Sequence, residues 1–522
     1  MQVAPHVLQK QPSAFKSKIR RAHSSVDLWA VGVTIVIVGQ FFSWNAGVQA
    51  GSVSFGIAVL LVGAAYTCLA CSMAEMSSML PFAGGIYGLS RCTLGFYAAF
   101  ILGCCEILEY IMYVASVNVS LGKFIALGYP PLQSYEPLIW FISYGFTFAL
   151  LSYDGKVFWW FNLLLALYLV GMIAIFCIGT ATFASWPDNA GGSEFMFQGG
   201  LNQFITVLPC AMWFFAGIEA LNTLCNAVDD PKNTIPRGQV AAMATVFVAS
   251  ISVYLVILGL PPGVPAFMNE LDIFSPGYSM LFNLRRLPAL WLSIPAAYSA
   301  SPGFLLAGGN IVTALAESKL FPFQLSMRHH KIGTPINALA LVALLSFGMC
   351  FLMMVHENAD NVLYTSSIFF ASLAYTSQCV GYVFLKRRYR NMERTFQSPF
   401  DVYGPAFSIV VFIICAISIV GFQPDAEATG PAILGLFVVL SLYYHLYAKH
   451  NQTFSEDERK ILFFAHIAKH NNAKRHRPKR GLWKFFANRT SRASVTTTHT
   501  HKTNAAASEK SPHEKDLTGP PP

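Results

Sequence analysis

From residue 27 to residue 448, apolar runs about as long as a bilayer is thick follow one another with only short polar breaks. A run of roughly 20 apolar residues spans the hydrocarbon core as an α-helix, since only helices and closed barrels satisfy their own backbone groups in lipid. The runs are continuous, whereas barrel strands alternate in polarity over about ten residues, so a barrel is excluded. Composition agrees: the chain is 54% hydrophobic and only 12% charged, about half the charge of a soluble chain. The expected fold is therefore an all-α polytopic membrane protein with about twelve transmembrane helices. They fall near 27–50, 53–79, 93–127, 138–153, 157–185, 201–228, 238–260, 290–317, 335–355, 361–385, 403–422 and 430–448.

An even number of spans puts both termini on one side, and the basic residues say which. Of the 35 Lys and Arg, all but Lys123, Arg285 and Arg286 fall in the termini or in loops on the terminus side. The opposite loops carry acids such as Asp188, Glu194, Glu270, Asp272, Glu357, Asp360, Asp425 and Glu427. The positive-inside rule then predicts cytoplasmic termini. The net charge of +9 thus reports topology, and no nucleic-acid partner is implied.

The 11 cysteines lie in or beside apolar runs, so no disulfide framework is expected, and Cys68 and Cys71 read as packing residues. His329 and His330 have no spaced ligand partners, so no metal site is expected. The polar, basic N-terminus lacks the apolar core of a signal peptide. The sequons at Asn118, Asn451 and Asn488 fall within a span or on the terminus side, where glycosylation is not expected.

Four regions follow: a basic cytoplasmic segment 1–26, the twelve-helix domain 27–448, a tail 449–489 and a polar, disordered end 490–522. In the tail, Ser455 and Glu458 form a capping box ahead of KILFFAHIAKH, which predicts a short amphipathic helix. Beyond it KRHRPKRGLWKFF mixes bases with aromatic rings, a pattern suited to the anionic inner leaflet or to a solvated basic tail.

Two spans, the first and the sixth, are interrupted by small or polar residues: Gly39-Gln-Phe-Phe-Ser-Trp-Asn-Ala-Gly47 and Trp213-Phe-Phe-Ala-Gly-Ile-Glu-Ala220. Backbone groups freed by unwinding find no partner in lipid, so such breaks belong where they line a cavity. A pair of breaks at matching places in two halves points to a transport site.

The run LPCAMWFFAGIEALNTLCNAVDDPKNTIPRG (208–238) resembles the sixth span and following loop of the amino acid–polyamine–organocation superfamily of transporters. MAEMSSMLPFAGGIYGLSR (73–91) resembles its loop after span two, and GTPINAL (333–339) its entry to span nine. Residues 29–47, with WFFAGIE, are most similar to the ethanolamine-permease branch, though Gln40 replaces its acid and Ser43 its glycine. Asn226-Ala227 stand where the superfamily often has Glu-Glu, and Asn310 and Glu317-Ser-Lys319 also depart from its pattern. The resemblance implies a LeuT-type fold: a 5+5 inverted repeat with broken helices 1 and 6, spans 11 and 12 appended, and substrate at the breaks. Sodium in this fold is usually held by span-one carbonyls and span-eight hydroxyls, which points to Ser299 and Ser301. Some proton-coupled relatives carry a lysine in mid-span five, and the stretch around Tyr168 and Leu169 has none. H+, Na+ and uncoupled exchange stay open.

The expected substrate-binding residues are Gly39, Gln40, Phe41, Phe42, Ser43 and Trp44 at the first break and Phe215, Ala216, Gly217 and Glu219 at the second. Glu106, Glu109 and Tyr113 join them from the third span, where Glu106, Glu109, Tyr110 and Tyr113 share one side. An intramembrane carboxyl belongs inside the bundle; Glu219 suits a substrate amine, a proton, or the freed backbone N–H groups. For any single ring, core packing is the simpler role. The function expected is a secondary transporter for amino acids or small amines, in the plasma membrane or an endomembrane, without cofactor. No P-loop, nucleophile elbow or HExxH motif occurs, so neither an enzyme nor an ATP-driven pump is expected. The alternatives are an ethanolamine or polyamine permease and a nutrient sensor that signals through its tail. A heavy chain joined by a disulfide is not expected, because GYPPLQSYEP (128–137) holds no cysteine.

Overall fold

The first span starts on a capping box. Ser24 Oγ accepts the Asp27 N–H and the Asp27 carboxylate accepts the Ser24 N–H, so helix α1 (Ser25–Val36) begins with its orphan donors satisfied. It tightens into a 3₁₀ turn at Ile37–Phe41 and stops at extended Phe42. Ser43 then takes a left-handed conformation (φ 70°), and α2 (Trp44–Gly47) leaves at a bend of 53°. The chain is described here from a computed structural model, which covers residues 24–459 apart from 83, 154, 269–271, 330–332, 356–358, 391, 456 and 457. The basic N-terminal segment, the helix expected after the Ser455 capping box, the basic–aromatic stretch and the end of the tail lie outside the described residues.

The remaining principal helices are α3 (Ser52–Met79), α4 (Gly85–Thr93), α5 (Phe96–Gly128), α6 (Glu136–Tyr153), α7 (Gly155–Thr180) and α8 (Gly200–Met212). They continue with α9 (Pro231–Gly259), α10 (Ile294–Ser299), α11 (Ser301–Glu317), α12 (Ile336–Val355), α13 (Ala359–Arg388), α14 (Tyr403–Gly421) and α15 (Ala426–Tyr443). No strand occurs among the described residues. Among the described residues eight helices are long and apolar enough to cross a membrane alone, and the bent first pair, taken as one span, brings the number to nine. The other three expected runs are helical but shorter or interrupted: 138–153 holds α6, 290–317 is divided between α10 and α11, and 201–228 breaks after α8.

Burial orders the bundle from centre to rim. The apolar window of α5 is 78% buried and that of α3 67%, against 33% for α7 and 17% for the last span, so α5 and α3 run through the middle. On α7, Ala166, Leu169, Ile173 and Phe176 face inward, while Trp160, Leu164, Leu167 and Ile178 are exposed on the other side. That outward face is apolar because its solvent is lipid.

At the terminus-bearing end, Glu75 of α3 meets two bases of the terminus-side loops, Lys386 Nζ at 2.8 Å and Arg394 Nε at 3.2 Å. It also accepts from Tyr382 Oη and the Ser398 N–H. Arg91 pairs with Glu458 at 2.8 Å, both side chains nearly fully buried. Its guanidinium lies 4.8 Å from the Phe96 and Phe454 rings and donates to the Thr453 carbonyl. The Thr453 N–H in turn donates to the Ser318 carbonyl at 2.9 Å. The start of the tail is therefore bound onto α4 and the turn after α11. Pairings across hundreds of positions leave no mark in local sequence.

Candidate functional site

The two breaks cross each other. A Cβ on Gly39 would stand 1.8 Å from the Trp213 carbonyl oxygen and 2.9 Å from Phe214 Cα, so the backbones touch where only glycine fits. The second break is a turn after α8, then Gly217 (φ 98°), then a 3₁₀ helix from Ile218 to Ala227. A 3₁₀ stretch this long is uncommon and marks a hinge or a strained sequence. Gly217 packs against Ile35 of α1 and Phe304 of α11, where a Cβ would come within 2.6 Å of each.

Aromatic rings wall the crossing. The Trp213 ring stacks on Tyr364 of α13 (centroids 4.2 Å, planes 13° apart) and packs at 4.8 Å against Tyr113 of α5. Tyr113 meets Phe304 at 5.0 Å, and the Ser43 and Tyr364 hydroxyls hydrogen-bond across the first break. Phe42 makes an edge contact with Phe124.

Beside this wall sit three buried carboxyls, Glu106, Glu109 and Glu219, the most exposed of them at 1%. Glu106 Oε2 accepts the Ile86 N–H at 2.9 Å, which fixes the start of α4; Gly85 before it leaves room for the carboxylate. The Tyr110 hydroxyl stands 3.2 Å from both Glu106 Oε1 and Glu219 Oε1. Tyr375 Oη donates to Glu109 Oε1 at 2.6 Å. Glu109 Oε2, Glu219 Oε2, Tyr66 Oη, Tyr113 Oη and Trp213 Nε1 are buried with no hydrogen-bond partner of good geometry. Buried polar atoms in that condition are costly and call for an explanation.

Other expected residues turn toward neighbouring helices. Gln40 Nε2 donates to Ser250 Oγ of α9 at 2.6 Å, and its carbonyl accepts from Trp44 Nε1. Phe41 packs on Phe274, Trp44 on Phe214, and Phe215 on Tyr66 and Phe247. Ala216 lies buried in the turn itself. Ser299 Oγ donates to the Thr34 carbonyl of α1 at 2.8 Å, and Ser301 Oγ accepts from Asn118 Nδ2.

Comparison with known proteins agrees with the broken-helix architecture. The sequence pattern of the family described as amino acid permease matches residues 28–456. This chain belongs to the amino acid permease family. It is 24% identical over 464 residues to the methylthioribose transporter of Bacillus subtilis, covering 83% of this chain and 95% of that one. A branched-chain amino acid permease of the same organism is 22% identical over 463 residues, 84% and 96% of the two chains. An uncharacterized transporter of Rhizobium meliloti is 24% identical over 451 residues, 83% and 93%. The relatives are transporters, and the apolar helices make this permease an integral multi-pass membrane protein.

The permease brings its departures from the superfamily pattern together. Asn226, Ala227 and Asn310 line one cavity of about 80 Å³ with Arg328 and the Gly333-Thr334-Pro335 motif. Sequence reasoning missed Tyr66, Tyr364 and Tyr375, which lie on spans without a polar break and read as ordinary membrane helix. It missed the Trp213 ring for a different reason: it named the break but took the downstream residues as its lining.

Proposed function

We propose that this permease is a secondary transporter moving an amino acid or a small amine by alternating access, with substrate held at the crossing of the two breaks. The supporting observation is the meeting of Gly39 with Trp213 beside five unpartnered buried polar atoms. A substrate ammonium finds the carboxyls of Glu109 and Glu219 and the faces of Trp213 and Tyr113 there, since an unpaired cation at that depth is costly. Gln40 in place of an acid lowers the negative charge at the first break, so a zwitterionic amino acid is the preferred substrate over ethanolamine. The reading includes twelve spans, a 5+5 repeat, cytoplasmic termini and a tail that touches the anionic leaflet. Uptake into proteoliposomes of purified protein, against amino acids, ethanolamine, choline and polyamines, tests it. Saturable uptake or counterflow of an amino acid is expected; transport of ethanolamine with no amino acid accepted would overturn the substrate preference.

A further inference from the structure

The start of the tail is built more tightly than a trailing segment needs to be. The last helical stretch stops at Gln452, whose N–H donates to the Ala448 carbonyl, and the chain turns again at Ser455. There Ser455 Oγ accepts the Glu458 N–H at 3.2 Å, and Glu458 Oε2 accepts the Ser455 N–H at 2.8 Å. The other oxygen of that carboxylate, Oε1, accepts from Arg91 Nη1 at 2.8 Å. One carboxylate therefore closes both the capping box and the ion pair, and a change that displaces Glu458 opens both.

These contacts tie the tail to two parts of the bundle at once. Arg91 sits in the last turn of α4, and the Phe96 and Phe454 rings, 5.6 Å apart, both face its guanidinium. The Thr453 N–H holds the Ser318 carbonyl in the turn after α11. The helix held in this way is a wall of the molecule's interior: Gly85 and Leu89 of α4 line a half-open cavity of about 40 Å³ with Ser77, Asn222 and Gln378. Asn222 belongs to the 3₁₀ half of the second break. The tail thus clamps α4 against the turn after α11, on the side of α4 away from the break. Widening the cavity by moving α4 takes Arg91 away from the clamp.

The clamp carries its own release point. Ser455 opens an acidic run, Ser455-Glu456-Asp457-Glu458. A protein kinase with a basic substrate groove reads such a run by charge complementarity. A phosphate on Ser455 does not fit the docked tail, for two reasons. Ser455 is only 8% exposed and its Oγ already serves as the acceptor of the box, so phosphorus and three further oxygens have no room. The added group also carries a charge of about −1.5 to −2 and would stand against the Glu458 carboxylate, and beside acids such a charge disrupts by repulsion. The same burial keeps a kinase from Ser455 until the tail has let go. Modification therefore takes the released state and prevents its return.

We propose that Ser455 is a phosphorylation site for an acid-directed kinase, and that its modification frees α4 and the turn after α11 from the tail, releasing a restraint on turnover. Ser455 Oγ attacks the γ-phosphorus of ATP held by the kinase. The new O–P bond forms as the bond to the β,γ-bridging oxygen breaks, the hydroxyl proton passes to the kinase's base, and ADP leaves. The effect on turnover rests on the transport reading above; the release of the tail does not. Purified full-length protein is treated with casein kinase II and ATP, the modified residues are mapped by mass spectrometry, and hydrogen exchange is followed in peptides holding residues 85–93 and 448–459. Wild type should take phosphate at Ser455 slowly, and both peptides should exchange faster once it has. Arg91→Ala removes the ion pair, and Thr453→Pro removes the N–H that holds Ser318. Each should be phosphorylated at Ser455 at least about tenfold faster than wild type, since modification follows the population of the open form. In proteoliposomes, phosphorylated protein should show counterflow at least roughly twofold faster than untreated protein, as expected where a conformational step limits the rate. Kinase treatment of Ser455→Ala should leave its counterflow unchanged. Equal rates of Ser455 modification in wild type and both variants overturn the proposal, as does no modification of Ser455 in any of them. A phosphorylated protein whose 85–93 peptide exchanges no faster also overturns it, and slower exchange would mean that Arg91 captures the phosphate and tightens the clamp. Unchanged counterflow with faster exchange overturns the restraint on turnover alone. Absence of counterflow for every amino acid and amine overturns the transport reading, while the exchange result still decides whether the tail is released. The wild-type measurements stand even where a variant fails to fold.

Discussion

Where the two broken spans cross, the constraint is a missing methyl group. At Gly39 a Cβ meets backbone, the Trp213 carbonyl at 1.8 Å, whereas at Gly47 it meets the Phe55 ring at 2.0 Å. A ring can rotate aside; two crossing backbones cannot part without moving both broken spans. Gly39→Ala should therefore reduce initial uptake at least tenfold with normal amounts of membrane-inserted protein, and Gly47→Ala should reduce it less. Overpacking costs of about 1–3 kcal/mol bracket the difference. Uptake normalised to surface-biotinylated protein is the measurement, and equal losses at both positions would sink the argument. Gln40 supports a second prediction. Its amide already donates to Ser250, with Oε1 unpartnered in a fully buried place. Gln40→Glu keeps the shape and brings a carboxyl to the first break, so ethanolamine should compete better against an amino acid than it does in the wild type. Unchanged competition would remove Gln40 from selectivity.

Among the elements, α4 joins the site to the tail. Its first turn is held by Glu106 through the Ile86 N–H, and its last by the Arg91–Glu458 pair between two phenyl rings. Removing one member of a buried ion pair strands the other, at a cost of about 3–5 kcal/mol. Arg91→Ala and Glu458→Ala should each lower the Tm of the detergent-solubilised protein, and the double variant should lie above the sum of the two losses. Strict additivity would mean that the pair contributes nothing as a pair. Legibility follows the same division between local and distant causes. The breaks were readable because glycine and polar residues interrupt apolar runs in one stretch of sequence. Glu106 and Glu109 were readable because helical spacing brings them to adjoining faces. The partners of Glu75 and Arg91 were not, since they arrive from segments more than 300 positions away. Nor were Tyr364 and Tyr375, whose helix carries no local sign that one face meets the breaks.

At the scale of the whole molecule, charge and structure sort the loops in the same way. The segments bearing Arg91, Lys232, Lys319, Lys386 and Arg394 gather at one end through Arg91–Glu458, Thr453–Ser318, Glu75–Arg394 and Thr395–Lys232 contacts. The acidic loops gather at the other, where Gln198 bonds to Ala50, Ser185 to Gly259 and Thr206 to Phe422. The structure thus joins as neighbours the loops that the count of bases assigned to one side, although contacts within the protein know nothing of the membrane. If that end faces the cytoplasm, exposed Asp188 and exposed Lys232 lie on opposite sides of the bilayer. Cysteine replacing Asp188 should react in intact cells with a membrane-impermeant maleimide, while cysteine replacing Lys232 should react only after permeabilisation. The wild-type chain gives the background, because none of its 11 cysteines is exposed among the described residues. Labelling of the Lys232 position alone in intact cells would invert the orientation.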